Sequence, residues 1–481
     1  MKKLLYSMIL AGITCFTHAQ SPDKDLRDKF LSDQIQGGSD HYQKLAQQIW
    51  NFAEVGYQEV KSSQLLQDEL SREGFEVESG VAGIPTAFIA SYGTGKPVIA
   101  ILGEFDALPG ISQDAVPVRQ IVEERSAGHA CGHHLFGVGS ASAGVAVKRW
   151  MIQNQITGTI KVFGTPAEEG GGGKIYMVKE GLFDDVDIVL HWHPSNANSA
   201  DAASSLANKS AKFRFYGKAA HAAGSPDRGR SGLDGVEAMN YMVNMMREHI
   251  SYDSRIHYVI TRGGEAPNVV PEFAEVFYYC RHPEAETVKK NFEWMVQAAE
   301  GAALGTQTRM EYEVIHGLFN VVPNEVLGRV MHTNLLKVGG VYYDDEEMEF
   351  AKKLSESFGD IPFNLESAKA VSPFRITERG SGGSTDVGDV SWVVPTAGMR
   401  AATWVPGTPA HSWQAVASGG TTIGTKGMLV AARTLAMTAA DIFTNSGLID
   451  KAWIELNRRR GDDFQYESLV GDRKPPLDYR N

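Results

Sequence analysis

Four short apolar runs, residues 87–90, 97–103, 158–164 and 186–190, constrain this chain more than anything else in it. Each is strand-length, and stretches with helical spacing accompany them at 135–153 and 174–180. Strands that alternate with helices imply an α/β fold around a largely parallel sheet. In such a sheet, ligands gather beyond the carboxyl ends of the strands. Here the run ending near Leu102 leads into Glu104-Phe105-Asp106. The run ending near Gly164 leads into Thr165-Pro166-Ala167-Glu168-Glu169, and the run ending near Leu190 into His191-Trp192-His193-Pro194. Three strand ends thus hand carboxylates or imidazoles to one edge.

The stretch Gly128-His129-Ala130-Cys131-Gly132-His133-His134 adds to that edge three histidines and one of only 3 cysteines. Thiolate sulfur and neutral imidazole nitrogen bind borderline-soft divalent metals, and glycine lets the backbone turn tightly enough to aim them at one point. A short His-rich loop can also be a solvated turn, and Cys131 beside a histidine suits a papain-like nucleophile. The loaded strand ends favour the metal. Adjacent Glu168 and Glu169 could then divide the work, one binding metal and the other taking a proton from water whose pKa falls to about 7. Two glutamates opening a glycine-rich turn are the plainer alternative. Other machinery is missing: there is no G-x-S-x-G elbow and no H-E-x-x-H helix. Residues 170–174 look superficially like a phosphate loop, but Glu168 stands where its first glycine belongs and Ile175 replaces the Ser or Thr.

A chain of 481 residues exceeds one compact core. Residues 1–19 read as a signal peptide: Lys2 and Lys3, an apolar run, then Thr17-His18-Ala19 with cleavage after Ala19. The run is shorter than the roughly 18 residues a bilayer needs, so the protein is expected to be exported. Only Cys131 and Cys280 then remain, enough for one disulfide, although a metal-bound thiolate is the better reading for Cys131. A net charge of −12 without a basic stripe excludes a nucleic-acid partner, and no later segment suits a membrane. The order β-α-β-β-α-β over 211–216, 233–249, 255–261, 273–281, 284–302 and 310–315 is the split unit of a ferredoxin-like α+β domain. It places a second domain at 210–316, inserted into a catalytic domain of 41–209 and 317–450. Residues 21–40 read as a polar lead-in, 370–385 as a long loop, and 451–481 as a tail without a role.

These motifs resemble the metallo-amidohydrolases related to aminoacylase and glutamate carboxypeptidase, in the branch of the indole-acetyl-amino-acid and p-aminobenzoyl-glutamate hydrolases. The likeness spans about 42–446. It is carried by Glu104-Phe105-Asp106-Ala107-Leu108-Pro109-Gly110, Ala130-Cys131-Gly132-His133, Pro166-Ala167-Glu168-Glu169-Gly170, Trp192-His193-Pro194, Gly217-Lys218-Ala219-Ala220-His221, Pro267-Asn268-Val269-Val270-Pro271, Ser384-Thr385-Asp386-Val387-Gly388-Asp389 and Gly407-Thr408-Pro409-Ala410-His411. The resemblance implies a metal-dependent exopeptidase-like catalytic domain with an inserted dimerisation (lid) domain. It implies Cys131, His133, Glu169, His193 and His411 as ligands of two divalent ions per site, Mn or Zn, and Glu168 as the catalytic base. His411 could not be singled out from spacing. A histidine matching His221 reaches a neighbouring active site to steady the oxyanion, and Asn268 and Arg281 suit the substrate carboxylate; a structural salt bridge is the alternative for Arg281. The branch usually has Asp where this chain has His134, leaving open whether His134 orients its neighbour or adds a ligand. The implied reaction cleaves the amide of an N-acyl or N-aroyl amino acid, best p-aminobenzoyl-glutamate, by a homodimer or a heterodimer with a related subunit. A dipeptidase or carboxypeptidase, or a non-catalytic supporting subunit, are the alternatives.

Overall fold

The computed structural model of the chain describes residues 24–380 and 382–480; the expected signal peptide lies outside them. Helices α1 (Lys24–Gly37), α2 (Ser39–Phe52) and α3 (Val60–Arg72) lead into strands β1 (Glu76–Ser79), β2 (Phe88–Thr94) and β3 (Val98–Gly103). Then come α4 (His133–Asn154), β4 (Gly158–Gly164), α5 (Gly173–Lys179) and β5 (Ile188–Ser195). Next follow β6 (Ala207–Tyr216), α6 (Gly232–Met246), β7 (Arg255–Arg262), β8 (Phe273–His282), α7 (Ala285–Thr306) and β9 (Arg309–Leu318). The chain continues through α8 (Glu325–Val338), α9 (Asp345–Ser355), α10 (Val387–Val393), β10 (Thr396–Ala402), α11 (Trp413–Gly419), α12 (Thr422–Thr444) and α13 (Ser446–Arg460).

The main sheet has 6 strands in the order β1-β2-β4-β3-β5-β10. Its last four strands are mutually parallel, and β1 and β2 run antiparallel at one edge. Every residue of β3 is buried, as expected of a strand covered on both faces. Its alternate side chains feed two cores: Ile99 and Ile101 pack with α2, α4 and α12, whereas Val98, Ala100 and Leu102 pack with α5 and α10. With both faces of β3 covered, the segments that follow the carboxyl ends of β3 and β4, together with the end of β5, come to one edge of the sheet, which is what positions the site.

A second sheet, entirely antiparallel and ordered β7-β8-β6-β9, is built from a segment lying between β5 and β10 in sequence. Helices α6 and α7 cover one face around Phe213, Phe215, Val276 and Met295. This is the β-α-β-β-α-β unit of the ferredoxin-like type.

Two expectations need correction. Residues 21–40 are not merely a polar lead-in, since α1 occupies 24–37 with Leu31 and Ile35 fully buried. Its docking combines those apolar contacts with buried ion pairs: Arg27 lies 2.6 Å from both Asp28 and Asp441 of α12, and Lys337 of α8 lies 2.8 Å from Asp28. A hydropathy reading passes over a helix held in this way. The strand after 186 does not stop near Leu190, because β5 pairs with β10 as far as Ser195. His191 and His193 therefore stand on the strand, where backbone pairing fixes their direction.

Candidate metal centre

Three local devices aim the site. At the start of α4, Gly132 has φ 77°. A Cβ there would lie 2.6 Å from Pro194 Cβ, so only glycine lets the Cys131 loop lie against the end of β5. After β4, Ala167 has φ 58°, a left-handed backbone costing on the order of 1–3 kcal/mol for a non-glycine residue. Its N–H donates to Glu59 Oε1 at 2.8 Å, and its carbonyl accepts from Gly171 and Gly172 at 3.0 and 2.8 Å. The turn this makes carries Glu168 and Glu169. His411, far along the chain, is also left-handed (φ 56°), and its N–H donates to the Ala130 carbonyl at 3.0 Å.

The side chains then converge. Cys131 Sγ lies 3.4 Å from His193 Nε2, and His193 Nδ1 donates to its neighbour's carbonyl at Pro194, 2.7 Å away. His133 Nδ1 donates to Asp106 Oδ1 at 2.8 Å, turning Nε2 inward to 3.1 Å from Glu104 Oε2. His411 Nε2 lies 3.2 Å from Glu169 Oε1. Ligand-type atoms lie within 4.8 Å of one another in three overlapping sets: Cys131 with His133 and His193, Cys131 with Glu169 and His411, and Glu104 with His133 and Glu168. The structure brings together all five expected ligands and the expected base, and adds Glu104.

The donor set fits a divalent cation. Glu104 Oε2, His133 Nε2 and Glu169 Oε1 are buried and make no well-aligned hydrogen bond, their near neighbours being one another and His411, an arrangement costly without a further partner. Burial opposes charge on His133, yet Cys131, Asp106 and Glu104 together push its basicity well above the usual range. Burial, then the Glu104 and Glu169 carboxylates, push Glu168 well above the usual carboxylate range, although part of its surface remains open. Burial likewise pushes the Cys131 thiol up, the opposite of what an unaided thiolate nucleophile needs. Burial and the neighbouring His133 push His193 well below the usual imidazole range, so the pocket holds neutral imidazole beside acids that resist ionisation. The buried cation beside it, Lys174, lies 2.7 Å from both Glu104 Oε1 and Asp386 Oδ1 and is committed to them.

His134 does not join the cluster. Its Nε2 donates to the Gly419 carbonyl at 3.0 Å and His129 Nε2 to the Ile49 carbonyl at 3.1 Å, with the two rings 4.8 Å apart. Burial brings His134 down to about 3, so both rings are neutral props tying the loop to α2 and α11. The acid that orients His133 is Asp106, which also accepts the Glu169 N–H at 2.9 Å. Cys131 and Cys280 are free and buried.

His221 and Asn268 lie on exposed loops of the second sheet's unit, joined by the Ala222 N–H donating to Asn268 O at 3.0 Å. The His221 ring accepts instead from the N–H groups of Ala223 and Gly224, and His221 falls in none of the ligand sets of its own chain. Arg281 sits on β8 opposite Asn208 and Arg255; among the described residues it forms no ion pair, and its Nε is buried without a partner. Sequence reasoning missed the supports Glu59, Lys174 and Tyr57, whose hydroxyl donates to Gly171 O at 2.8 Å. It also missed Tyr479 and Arg480, which reach Glu169 from the far end of the chain. No local pattern marks any of them.

Comparison with known proteins bears on this geometry. The model of Peptidase family M20/M25/M40 matches residues 100–415. The chain is 41% identical to one of the subunits of p-aminobenzoyl-glutamate hydrolase from Escherichia coli (strain K12) over 448 residues, 88% of this chain and 93% of that one. It is 30% identical to the Xaa-Arg dipeptidase of Mus musculus, over 90% of this chain and 92% of that one. Among solved structures, Bacillus subtilis YXEP protein, described as a dinuclear metal-binding peptidase, aligns with TM-score 0.57 and 16% identity over 85% of this chain and 99% of that one.

Proposed function

The chain belongs to Peptidase family M20/M25/M40 and is a metal-dependent amidohydrolase, and from that premise we propose that it cleaves an N-acyl or N-aroyl amino acid, with p-aminobenzoyl-glutamate the best single substrate. The observation that carries the substrate is the 41% identity, across nearly the whole of both chains, to a hydrolase subunit named for it.

Cys131, His133, Glu169, His193 and His411 would hold the metal, two ions per site by analogy with the dinuclear Bacillus subtilis protein, as Mn or Zn. A divalent ion bound there supplies Lewis-acid polarisation of the scissile carbonyl and lowers the pKa of water to about 7. Glu168 takes the proton of the attacking water and returns it to the leaving nitrogen. Asp106 fixes the ring of His133 and the backbone of Glu169. Arg281, which among the described residues forms no ion pair and whose Nε is buried without a partner, is assigned to the substrate carboxylate for its planar fork, and Asn268, before the opposite end of β8, is assigned to the same substrate from the second chain. His221, supplied by a second chain, steadies the oxyanion.

Support for that second chain lies in β7, an edge strand with Tyr258, Val259 and Ile260 exposed, since an unpaired edge is a template for another chain. The second chain is a copy of this one or a related subunit. Residues 1–19 support export, with the mature protein beginning after Ala19. No helix of the described residues is long and apolar enough to cross a membrane.

The test is hydrolysis of p-aminobenzoyl-glutamate by the chain expressed alone, before and after EDTA and after adding back Mn²⁺ or Zn²⁺. Loss on chelation and recovery with metal are expected; turnover that survives chelation would overturn the reading. The likeness to a Xaa-Arg dipeptidase supports a second reading. Faster cleavage of Xaa-Arg dipeptides by the same preparation would transfer the assignment to it.

A further inference from the structure

We propose that the last residues of the chain are a positioning strap for the turn bearing the base and a ligand, with Tyr479 and Arg480 as its positioning residues; the inference rests on the reading of that turn given above. Tyr479 Oη and Arg480 Nη2 both donate to the Glu169 carbonyl, at 3.1 and 2.6 Å. The N–H of the same residue donates to Asp106 Oδ2 at 2.9 Å. Both peptide groups flanking the Glu169 Cα are therefore held, which leaves its side-chain torsions as its main remaining freedom. The turn is pinned at two further points, Ala167 N–H on Glu59 and Gly171 O on Tyr57.

The tail is anchored along its whole path to the site. The Phe464 ring packs 4.8 Å from that of Trp392, Tyr466 donates to Asp389 Oδ1 at 2.6 Å, and Leu469 and Val470 are buried. Arg473 donates to the Ile315 carbonyl of β9. Lys179 of α5 donates to Gly471 O at 2.6 Å, and Gln58 donates to Leu477 O at 3.0 Å. The Tyr479 ring then meets Tyr57 edge-on at 5.6 Å. A surface turn needs no such strap to satisfy its carbonyl, since water would do. Two donors, one of them cationic and both brought from more than 300 residues away, fit a requirement for position. Groups that orient metal ligands from behind are worth about 10–100-fold in metal affinity or activity.

The experiment compares the parent with a chain ending after Asp478 and with Tyr479→Phe, Arg480→Ala and Arg480→Lys. Amide hydrogen exchange over residues 167–173 is read on metal-free protein, Mn²⁺ affinity by calorimetry after EDTA stripping, and kcat and KM separately on p-aminobenzoyl-glutamate. Truncation and Arg480→Ala should speed exchange in the turn, weaken Mn²⁺ binding about 10–100-fold and lower kcat more than KM. Arg480→Lys should recover most of the loss. Unchanged exchange together with Mn²⁺ affinity within twofold in Arg480→Ala would overturn the strap. Should the truncated chain not fold, Tyr479→Phe and Arg480→Ala decide by the same criterion. A parent that bound no Mn²⁺ would overturn the metal reading, while the exchange measurement would still judge the strap.

Discussion

Glu168 and Glu169 are neighbours in sequence that the backbone assigns to different tasks. The carboxylate of Glu169 lies 3.2 Å from His411 and shares a set with Cys131, while Glu168 falls in the set formed with Glu104 and His133. Removing the carboxylate of Glu168 leaves the other donors in place. The Glu168→Gln variant should therefore retain Mn²⁺ within a few-fold by calorimetry and lose about 10²–10⁴ in kcat. A variant that turned over at the parent rate would show that another group takes the proton. The pair Glu168-Glu169 was legible because it follows a strand end. The role of His134 was not legible, since its partner, the Gly419 carbonyl, lies 285 residues away.

At the scale of elements, the strands and most helices followed from apolar spacing, and α1 was passed over because buried ion pairs accompany its two fully buried apolar residues. A buried polar contact also joins α10 to the tail. Asp389 of α10 is fully buried, accepting the Phe319 N–H at 3.1 Å and the Tyr466 hydroxyl at 2.6 Å. Burial pushes its carboxyl up to about 7, and those two bonds offset only part of the rise. An unfolded Asp titrates near 4, so between about pH 4 and 7 the native state binds the proton more tightly than the unfolded state. This group's contribution to stability is thus greatest at low pH, declines as pH rises through that window, and levels off above it. In Asp389→Asn the side-chain oxygen still accepts from Phe319, and its amide meets the Tyr466 oxygen, without the titration. The stability of the variant relative to the parent should rise from pH 5 to pH 7.5 in urea denaturation. A difference constant with pH would refute the assignment.

At the scale of the whole molecule, His221 and Asn268 stand on exposed loops of the inserted unit, and His221 lies outside the ligand sets of its own chain. If a second copy supplies His221, the two defects Glu168→Gln and His221→Ala must complement. Each alone should be nearly inactive, the histidine variant by about 10²–10³. After unfolding and refolding an equal mixture, about half the dimers pair unlike chains and keep one intact site of two, restoring roughly one quarter of parent activity. A mixture no more active than its components would place the histidine's action within one chain or nowhere. By itself the sequence determined the alternation of strands and helices, the delivery of carboxylates and imidazoles to one sheet edge, and the inserted β-α-β-β-α-β unit. These are set by short-range periodicity and by the chain direction of a parallel sheet. Tertiary structure alone decided that His134 turns away from the site, that Asp106 orients His133, and that the end of the chain returns to hold Glu169. Those outcomes are hydrogen bonds between residues far apart in sequence, and no local pattern encodes which distant carbonyl a buried donor will meet.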